Sequence, residues 1–186
     1  MTRIGLLSDT HGFLDERILA FFADVDEVWH AGDIGSMDVL MRLKAFKPLR
    51  AVYGNADGYD IRRDVAPGPR FVYEEDGAAK AADELPDSFA HFTVEGVSVL
   101  MTHIGGHPGK YSAPARREIK RLRPGIFVAG HSHILRVIYD KEFGCLHMNP
   151  GACGHYGIHA KRTALRFVID GKDIKDLEII ELDTDK

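Results

Sequence analysis

Residues 3–11, RIGLLSDTH, decide the fold, because a short apolar run ends in a polar block. The pattern recurs in residues 27–33, EVWHAGD, and in residues 49–55, LRAVYGN. Short apolar runs bounded by polar residues predict strands. Each of the three predicted strands therefore brings carboxylate, imidazole or amide groups to its carboxyl end.

Helical patterns separate these three strands. Leu14, Ile18 and Phe22 recur at helical spacing, and Ser36 is a candidate N-cap for a second helix. Alternating strands and helices predict a parallel sheet built by right-handed crossovers. Ligands of such sheets collect at the carboxyl ends of the strands, so we expect the functional site there.

The second half of the chain is rich in strand patterns. We predict a hairpin, a Gly-rich loop over 105–110, a helix over 113–122 and further strands, whereas 58–86 is interpreted as a long surface excursion. The predicted strands cover residues 89–94, 97–102, 126–129, 134–139, 143–148, 163–170 and 174–182. The chain thus predicts a mixed α/β fold with two packed sheets flanked by helices, in a single domain over 1–186.

Composition limits the classes of function. The 186 residues are 45% hydrophobic with a net charge of −4, which argues against general binding of nucleic acids or anionic membranes. No apolar run is long enough to span a bilayer, no signal peptide is recognised, and the 2 Cys are expected to be free thiols. We therefore expect a cytoplasmic protein; association into a homo-oligomer stays an open alternative.

Five polar blocks form the ligand set of a dinuclear metal site. They are Asp9-Thr10-His11, Gly32-Asp33, Gly54-Asn55-Ala56-Asp57, Thr102-His103 and Gly130-His131-Ser132-His133. Side chains two residues apart at a strand end point the same way, so each such pair can reach one ion. Mixed oxygen and nitrogen ligands suit Mn²⁺, Fe²⁺, Co²⁺, Ni²⁺ or Zn²⁺. Two such ions about 3.5–4 Å apart activate a bridging water as hydroxide, which attacks a phosphoryl group.

These blocks resemble the calcineurin-like metallophosphoesterase superfamily. The motifs at 8–12 (SDTHG), 54–57 (GNAD) and 102–106 (THIGG) are most similar to its small bacterial and archaeal phosphodiesterase branch. The resemblance implies a four-layer αββα sandwich of two mixed β-sheets, with a small phosphodiester as substrate. It also implies one metal held by Asp9, His11, Asp33 and His133, and a second held by Asp33, Asn55, His103 and His131. Asp33, Asn55 and His103 would then be the catalytic residues.

One position departs from the family pattern. Many members carry a His directly after the motif Asn, where it stabilises the transition state or protonates the leaving group; here the residue is Ala56. General acid catalysis contributes about 10²–10⁴-fold. Because members of the phosphodiesterase branch also lack this His, Ala56 favours diesters with good leaving groups. A phosphomonoesterase and a non-catalytic protein-binding scaffold on the same fold, like the small retromer subunit, stay as alternatives.

Several further polar residues allow two interpretations. His107 is a candidate for substrate contact or for the missing acid, and Arg62 for phosphate binding, but each could instead be a solvated side chain. His30 is interpreted as a hydrogen-bonded structural residue, and Asp57 as a residue that orients its neighbours. Residues 149–151 (NPG) are expected to form a turn near the site.

Overall fold

The computed structural model describes residues 1–65, 71–73, 79–81 and 88–184. The elements of the first half are β1 (Thr2–Leu7), α1 (Glu16–Phe21), β2 (Glu27–His30), α2 (Met37–Phe46), β3 (Leu49–Ala51), α3 (Tyr59–Val65), β4 (Phe71–Tyr73) and β5 (Ala79–Ala81). Those of the second half are β6 (Phe89–Val94), β7 (Val97–Thr102), β8 (Gly106–His107), β9 (Lys110–Tyr111), α4 (Ala113–Leu122), β10 (Ile126–Val128), β11 (Leu135–Asp140), β12 (Cys145–Pro150), β13 (Lys161–Asp170) and β14 (Asp173–Asp183).

The first sheet has the order β14-β13-β1-β2-β3. Its strands β1, β2 and β3 are parallel, as the strand–helix–strand pattern predicts, and β13 adds antiparallel to β1. The second helix begins at the predicted N-cap, where the Ser36 hydroxyl accepts from the Val39 N–H. The carboxyl ends of β1, β2 and β3 therefore lie at one edge of this sheet.

The second sheet has the order β11-β12-β10-β7-β6. The hairpin of β6 and β7 has the predicted bounds, and β10 runs parallel to both β7 and β12. Helix α4 also has its predicted bounds and is capped by Ser112. The carboxyl ends of β7 and β10 consequently meet at one edge, as in the first sheet.

Three apolar clusters hold four layers together. The central cluster packs the two sheets face to face, with Leu6, Trp29 and Phe167 from the first and Val99 and Val128 from the second. A second cluster lies between the other face of the first sheet and α1, α2 and α3. The third lies between the second sheet and α4. The predicted αββα sandwich of two mixed sheets is confirmed.

The structure differs from the sequence predictions in two places. The predicted Gly-rich loop contains a small antiparallel hairpin, β8 and β9. Asn149 and Pro150 end strand β12 instead of forming a turn, and the chain bends at Gly151, whose φ is +74°. Proline has no N–H to donate, and as the last residue of its strand Pro150 interrupts no later ladder bond. Of the predicted surface excursion, residues 66–70, 74–78 and 82–87 lie outside the described residues.

The two cysteines are free and buried, as predicted. Cys145 belongs to the cluster beneath α4, whereas Cys153 belongs to the cluster beneath α1 and α2. Burial raises the pKa of Cys145 to about 11 and that of Cys153 to about 12, so both are unreactive thiols at neutral pH. Within the described ranges, no helix is both long and apolar enough to cross a membrane.

His147 makes stability depend on pH. It is buried beside Tyr111 and Phe127, and burial, followed by the charge of Arg136, lowers its pKa from 6.5 to about 4. The unfolded chain therefore binds a proton more readily, and stability falls as pH drops from about 6.5 toward 4.

We expect the neutral substitution His147→Gln to weaken this dependence. Between pH 7 and pH 5 the free energy of unfolding of the wild type should fall by about 1–2 kcal/mol more than that of the variant. Urea unfolding at both pH values measures the difference. Equal losses in the two proteins would show that His147 is not buried in its neutral form.

Candidate metal centre

Strand ends from both sheets bring the predicted ligands together. Asp9 and His11 follow β1, and Asp33 follows β2 in the first sheet. His103 follows β7 and His131 and His133 follow β10 in the second. The site therefore spans the central packing layer and depends on both sheets.

The acidic and imidazole ligands fall into two groups. Asp9, His11 and His133 form one, and Asp33, His103 and His131 form the other; within each group the candidate ligand atoms lie within 4.8 Å of one another. Each group contains three of the four ligands that the family resemblance implies for one metal.

The two groups face each other across short distances. In the first, Asp9 Oδ1 lies 3.2 Å from His133 Nε2. In the second, Asp33 Oδ2 lies 3.2 Å from His103 Nε2, and it is also 3.8 Å from His11 Nε2 of the first group. The Asp33 carboxylate therefore lies close to imidazoles of both groups.

The residues fit a bound cation. Asp9 Oδ1 and His103 Nε2 are buried and have no hydrogen-bond partner in the described part of the chain. The other ring nitrogen of His103, Nδ1, lies 2.8 Å from the Ala31 carbonyl and donates to it, so Nε2 is the nitrogen that faces the site. Converging carboxylate oxygens and free imidazole nitrogens are metal ligands, and a cation would satisfy both orphaned atoms.

Electrostatics keep both carboxylates ionised. Burial alone would raise the pKa of Asp9, but His133, His103 and the Ser8 hydroxyl outweigh it, and the pKa is lowered. For Asp33, burial is likewise outweighed by His103 and by the Ala56 N–H, and the pKa is lowered. Two negative charges are therefore held side by side at neutral pH.

The backbone is bent to aim these ligands. Asp9, His11, Asp33, His131 and His133 all have left-handed φ angles, between +47° and +66°. A non-glycine residue in this region costs on the order of 1–3 kcal/mol. Five ligand candidates share this strain, which shows that the surrounding structure fixes the direction of their side chains.

The loop after β3 is fastened to Asp33. The Ala56 N–H donates to Asp33 Oδ1 at 2.8 Å, and Asp57 accepts from the N–H groups of Gly35 and Gly54. Asp57 thus orients its neighbours, as its interpretation from sequence stated. Asn55 directly precedes Ala56 and is exposed.

His30 has the structural role inferred for it. Its Nδ1 accepts from the Gly32 N–H, so Nε2 carries the proton and donates to Thr10 Oγ1 at 2.9 Å. Burial lowers the pKa of His30 to about 4. This neutral side chain joins the first two polar blocks beneath the metal ligands.

The structure places the two candidate substrate residues differently. Arg62 donates to the carbonyl groups of Asp57 and Asn55, at 2.7 and 3.3 Å, and so braces the Asn55 loop. His107 is half-buried in β8 with Nδ1 3.0 Å from the Pro108 carbonyl. No hydrogen bond or ring contact joins His107 to a metal-ligand candidate within the described residues.

Three further residues contribute to the site, and of these only Asn149 was expected near it from the sequence. Asn149 Nδ2 donates to the Gly130 carbonyl and to Ser132 Oγ, which fixes the turn that carries the two histidines after β10. The rings of Tyr156 and His159 lie 4.8 Å from His11 and 5.2 Å from His133. All three residues come from the end of β12 and the loop after it. The glycines of this loop are the local sequence feature that could have drawn attention to it.

Comparison with known proteins assigns the family. The model of the calcineurin-like phosphoesterase superfamily domain matches residues 2–172, and the chain belongs to this superfamily. A probable metallophosphoesterase of Methanothermobacter thermautotrophicus is 39% identical over 157 residues, which cover 80% of this chain and 76% of the relative.

Solved structures share the fold at lower identity. An archaeal phosphodiesterase is 22% identical, with a TM-score of 0.64 over 97% of this chain and 99% of that one. Vps29 of Entamoeba histolytica in complex with Zn²⁺ is 12% identical, with a TM-score of 0.65 over 99% of this chain and 100% of that one. Vps29 of Chaetomium thermophilum is 13% identical, with a TM-score of 0.69 over 100% and 89%.

A glycine pair tests how the site is fixed. A Cβ at Gly54 would lie 2.0 Å from Asp33 Oδ1, whereas a Cβ at Gly58 would meet no atom within 4 Å. We expect Gly54→Ala to displace Asp33 and to lower Mn²⁺ affinity by about 10–100-fold, the usual effect of losing a residue that orients a ligand. Gly58→Ala, four residues away on the same loop, should leave the affinity unchanged. Isothermal titration calorimetry compares the two; equal affinities would contradict the position assigned to Asp33.

Proposed function

We propose that the protein is a dinuclear metal-dependent phosphodiesterase that acts on a small phosphodiester. The observation that supports this most strongly is the Asp33 carboxylate lying close to imidazoles of both groups of ligands. Two divalent ions, when bound, supply an activated hydroxide nucleophile and neutralise the charge of the phosphoryl group. The mixed ligand set suits Mn²⁺, Fe²⁺, Co²⁺, Ni²⁺ or Zn²⁺.

In this proposal each ligand has a defined part. Asp9, His11 and His133 would hold one ion, and His103, His131 and Asn55 would hold the other, with Asp33 contributing to both. The Ala31 carbonyl keeps a proton of His103 on Nδ1, so that Nε2 is the ring nitrogen that would bind the ion. Asn55 and His103 would help to stabilise the charge that develops on the phosphoryl oxygens.

The absence of an acidic side chain at position 56 bears on which class of phosphate ester the protein would hydrolyse. The methyl group of Ala56 can neither donate a proton nor stabilise an anion, although the Ala56 N–H still orients Asp33. A leaving group must therefore depart as a stable anion or receive its proton from elsewhere. This supports a diesterase with a preference for acidic leaving groups.

Two variants test the metal centre. Asp33→Asn removes the shared charge and His131→Ala removes a ligand of one group. We expect either variant to lose hydrolysis of bis-p-nitrophenyl phosphate in the presence of Mn²⁺ while its circular dichroism spectrum is retained. The matched control is His91→Ala. His91 is a half-buried histidine on β6 that is bonded to Ser98 on β7, and this variant should keep the activity of the wild type.

Full activity in either metal-site variant would contradict the proposal. A scaffold role, suggested by the structural likeness to Vps29, predicts another outcome. The wild-type chain would then purify without metal and stay inert after addition of Mn²⁺ or Ni²⁺.

A second comparison tests the choice of ester. Because Ala56 supplies no acid, we expect the wild type to hydrolyse bis-p-nitrophenyl phosphate faster than p-nitrophenyl phosphate, measured as kcat/KM with the same metal. Faster hydrolysis of the monoester would support a phosphomonoesterase instead.

A further inference from the structure

An aromatic side chain stands exposed at the edge of the metal centre. The ring of Tyr156 lies 4.8 Å from the ring of His11, centroid to centroid, yet 71% of Tyr156 is exposed. His11 itself turns Nε2 inward, 3.4 Å from His133 Nε2. One part of the tyrosine therefore touches a metal ligand, and the rest is free to contact a molecule bound there.

The loop that carries Tyr156 is firmly attached to the first polar block. The N–H groups of Cys153 and Gly154 donate to the carbonyl groups of Ser8 and Asp9, at 2.9 and 3.0 Å. A Cβ at Gly154 would lie only 2.1 Å from the Thr10 carbonyl oxygen. The base of this loop is thus packed against, and hydrogen-bonded to, the backbone segment that carries Asp9.

Inward-facing rings hold the loop on either side of Tyr156. His155 packs on Phe13 at 4.2 Å, and the buried guanidinium of Arg162 lies 5.3 Å from the same Phe13 ring. On the other side, the His159 ring packs edge-on against His133, and its Nε2 donates to the Gly154 carbonyl at 3.0 Å. The loop that displays Tyr156 is therefore braced on both sides of this residue.

Apolar side chains border the same edge. Ile134 directly follows His133 and is 57% exposed, and Ile158 is fully exposed beside Gly157, at which a Cβ would lie 2.5 Å from His133 Nδ1. Exposed apolar surface next to convergent polar groups is typical of sites that bind small molecules. The polar ligands would take the phosphate, and this rim would take an uncharged substituent.

From this geometry we infer that Tyr156 is a specificity-determining residue that stacks on a flat aromatic ester group of the substrate. The preferred substrate is accordingly a phosphodiester with at least one aryl or nucleoside ester group. A flat ring fits an exposed tyrosine face better than a short alkyl group does, because stacking gains contact over the whole face. The inference rests on the proposed function only in calling the bound molecule a substrate. Binding at the aromatic subsite can be measured without turnover.

The experiment is calorimetric titration of the Mn²⁺-loaded protein with methylphosphonate, phenylphosphonate and thymidine 5′-monophosphate. We expect the wild type to bind the two aromatic ligands more tightly than methylphosphonate. In Tyr156→Ala the ratio of the dissociation constants for methylphosphonate and phenylphosphonate should fall about 5- to 30-fold. Tyr156→Phe, which keeps the ring, should retain the wild-type ratio.

Two controls separate stacking from damage to the metal centre. Tyr139→Ala removes a tyrosine of similar exposure, 59%, on β11, and should keep the wild-type ratio. Equal Mn²⁺ content in all variants ensures that the ratio reports the organic group. Tighter binding of thymidine 5′-monophosphate than of phenylphosphonate identifies the aromatic group as a nucleobase, and the reverse order identifies it as an aryl group.

The inference is overturned if the wild type shows no preference for the aromatic ligands, or if the preference survives in Tyr156→Ala. Failure of the proposed function looks different. In that case the Tyr156-dependent preference is present, but bis-p-nitrophenyl phosphate is not hydrolysed.

Discussion

Two ionised carboxylates held side by side, Asp9 and Asp33, are the constraint on which the rest of the site depends. Neighbouring buried charges of one sign repel each other strongly unless cations lie close by. Imidazoles from both sheets surround these two carboxylates, and the lowered pKa values show that the surroundings favour the charged forms. Carboxylates that are held in their charged forms beside converging imidazole nitrogens are well suited to binding cations.

The fold supplies this constraint through packing and through strained turns. Leu6 and Trp29 of the first sheet pack against Val99 and Val128 of the second, which brings the ends of β1, β2, β7 and β10 to one edge. The left-handed turns then point the ligands inward. Burial of apolar surface between the sheets offsets the strain of the turns. The geometry of the site therefore depends on the packing of the core.

The sequence predicted the parts of the molecule whose signals are local. Short apolar runs located β1, β2, β6 and β7, the Ser36 cap located α2, and helical patterning located α4. The metal-ligand candidates were found because each one directly follows a strand pattern. Tyr156 and His159 were missed because their role comes from contacts with residues far away in the chain. Asn149 was expected near the site, but its bond to the Gly130 carbonyl could not be predicted for the same reason. Likewise, nothing local shows that residues 106–111 pair as a hairpin.

The most direct test of the account is anomalous diffraction from crystals of the wild-type protein soaked in Mn²⁺. We predict two peaks about 3.5–4 Å apart, with one oxygen of Asp33 bound to each ion, Asp9 and His133 on one ion, and His103 and His131 on the other. A single peak, or two peaks without Asp33 between them, would contradict the central claim that this carboxylate organises a dinuclear centre.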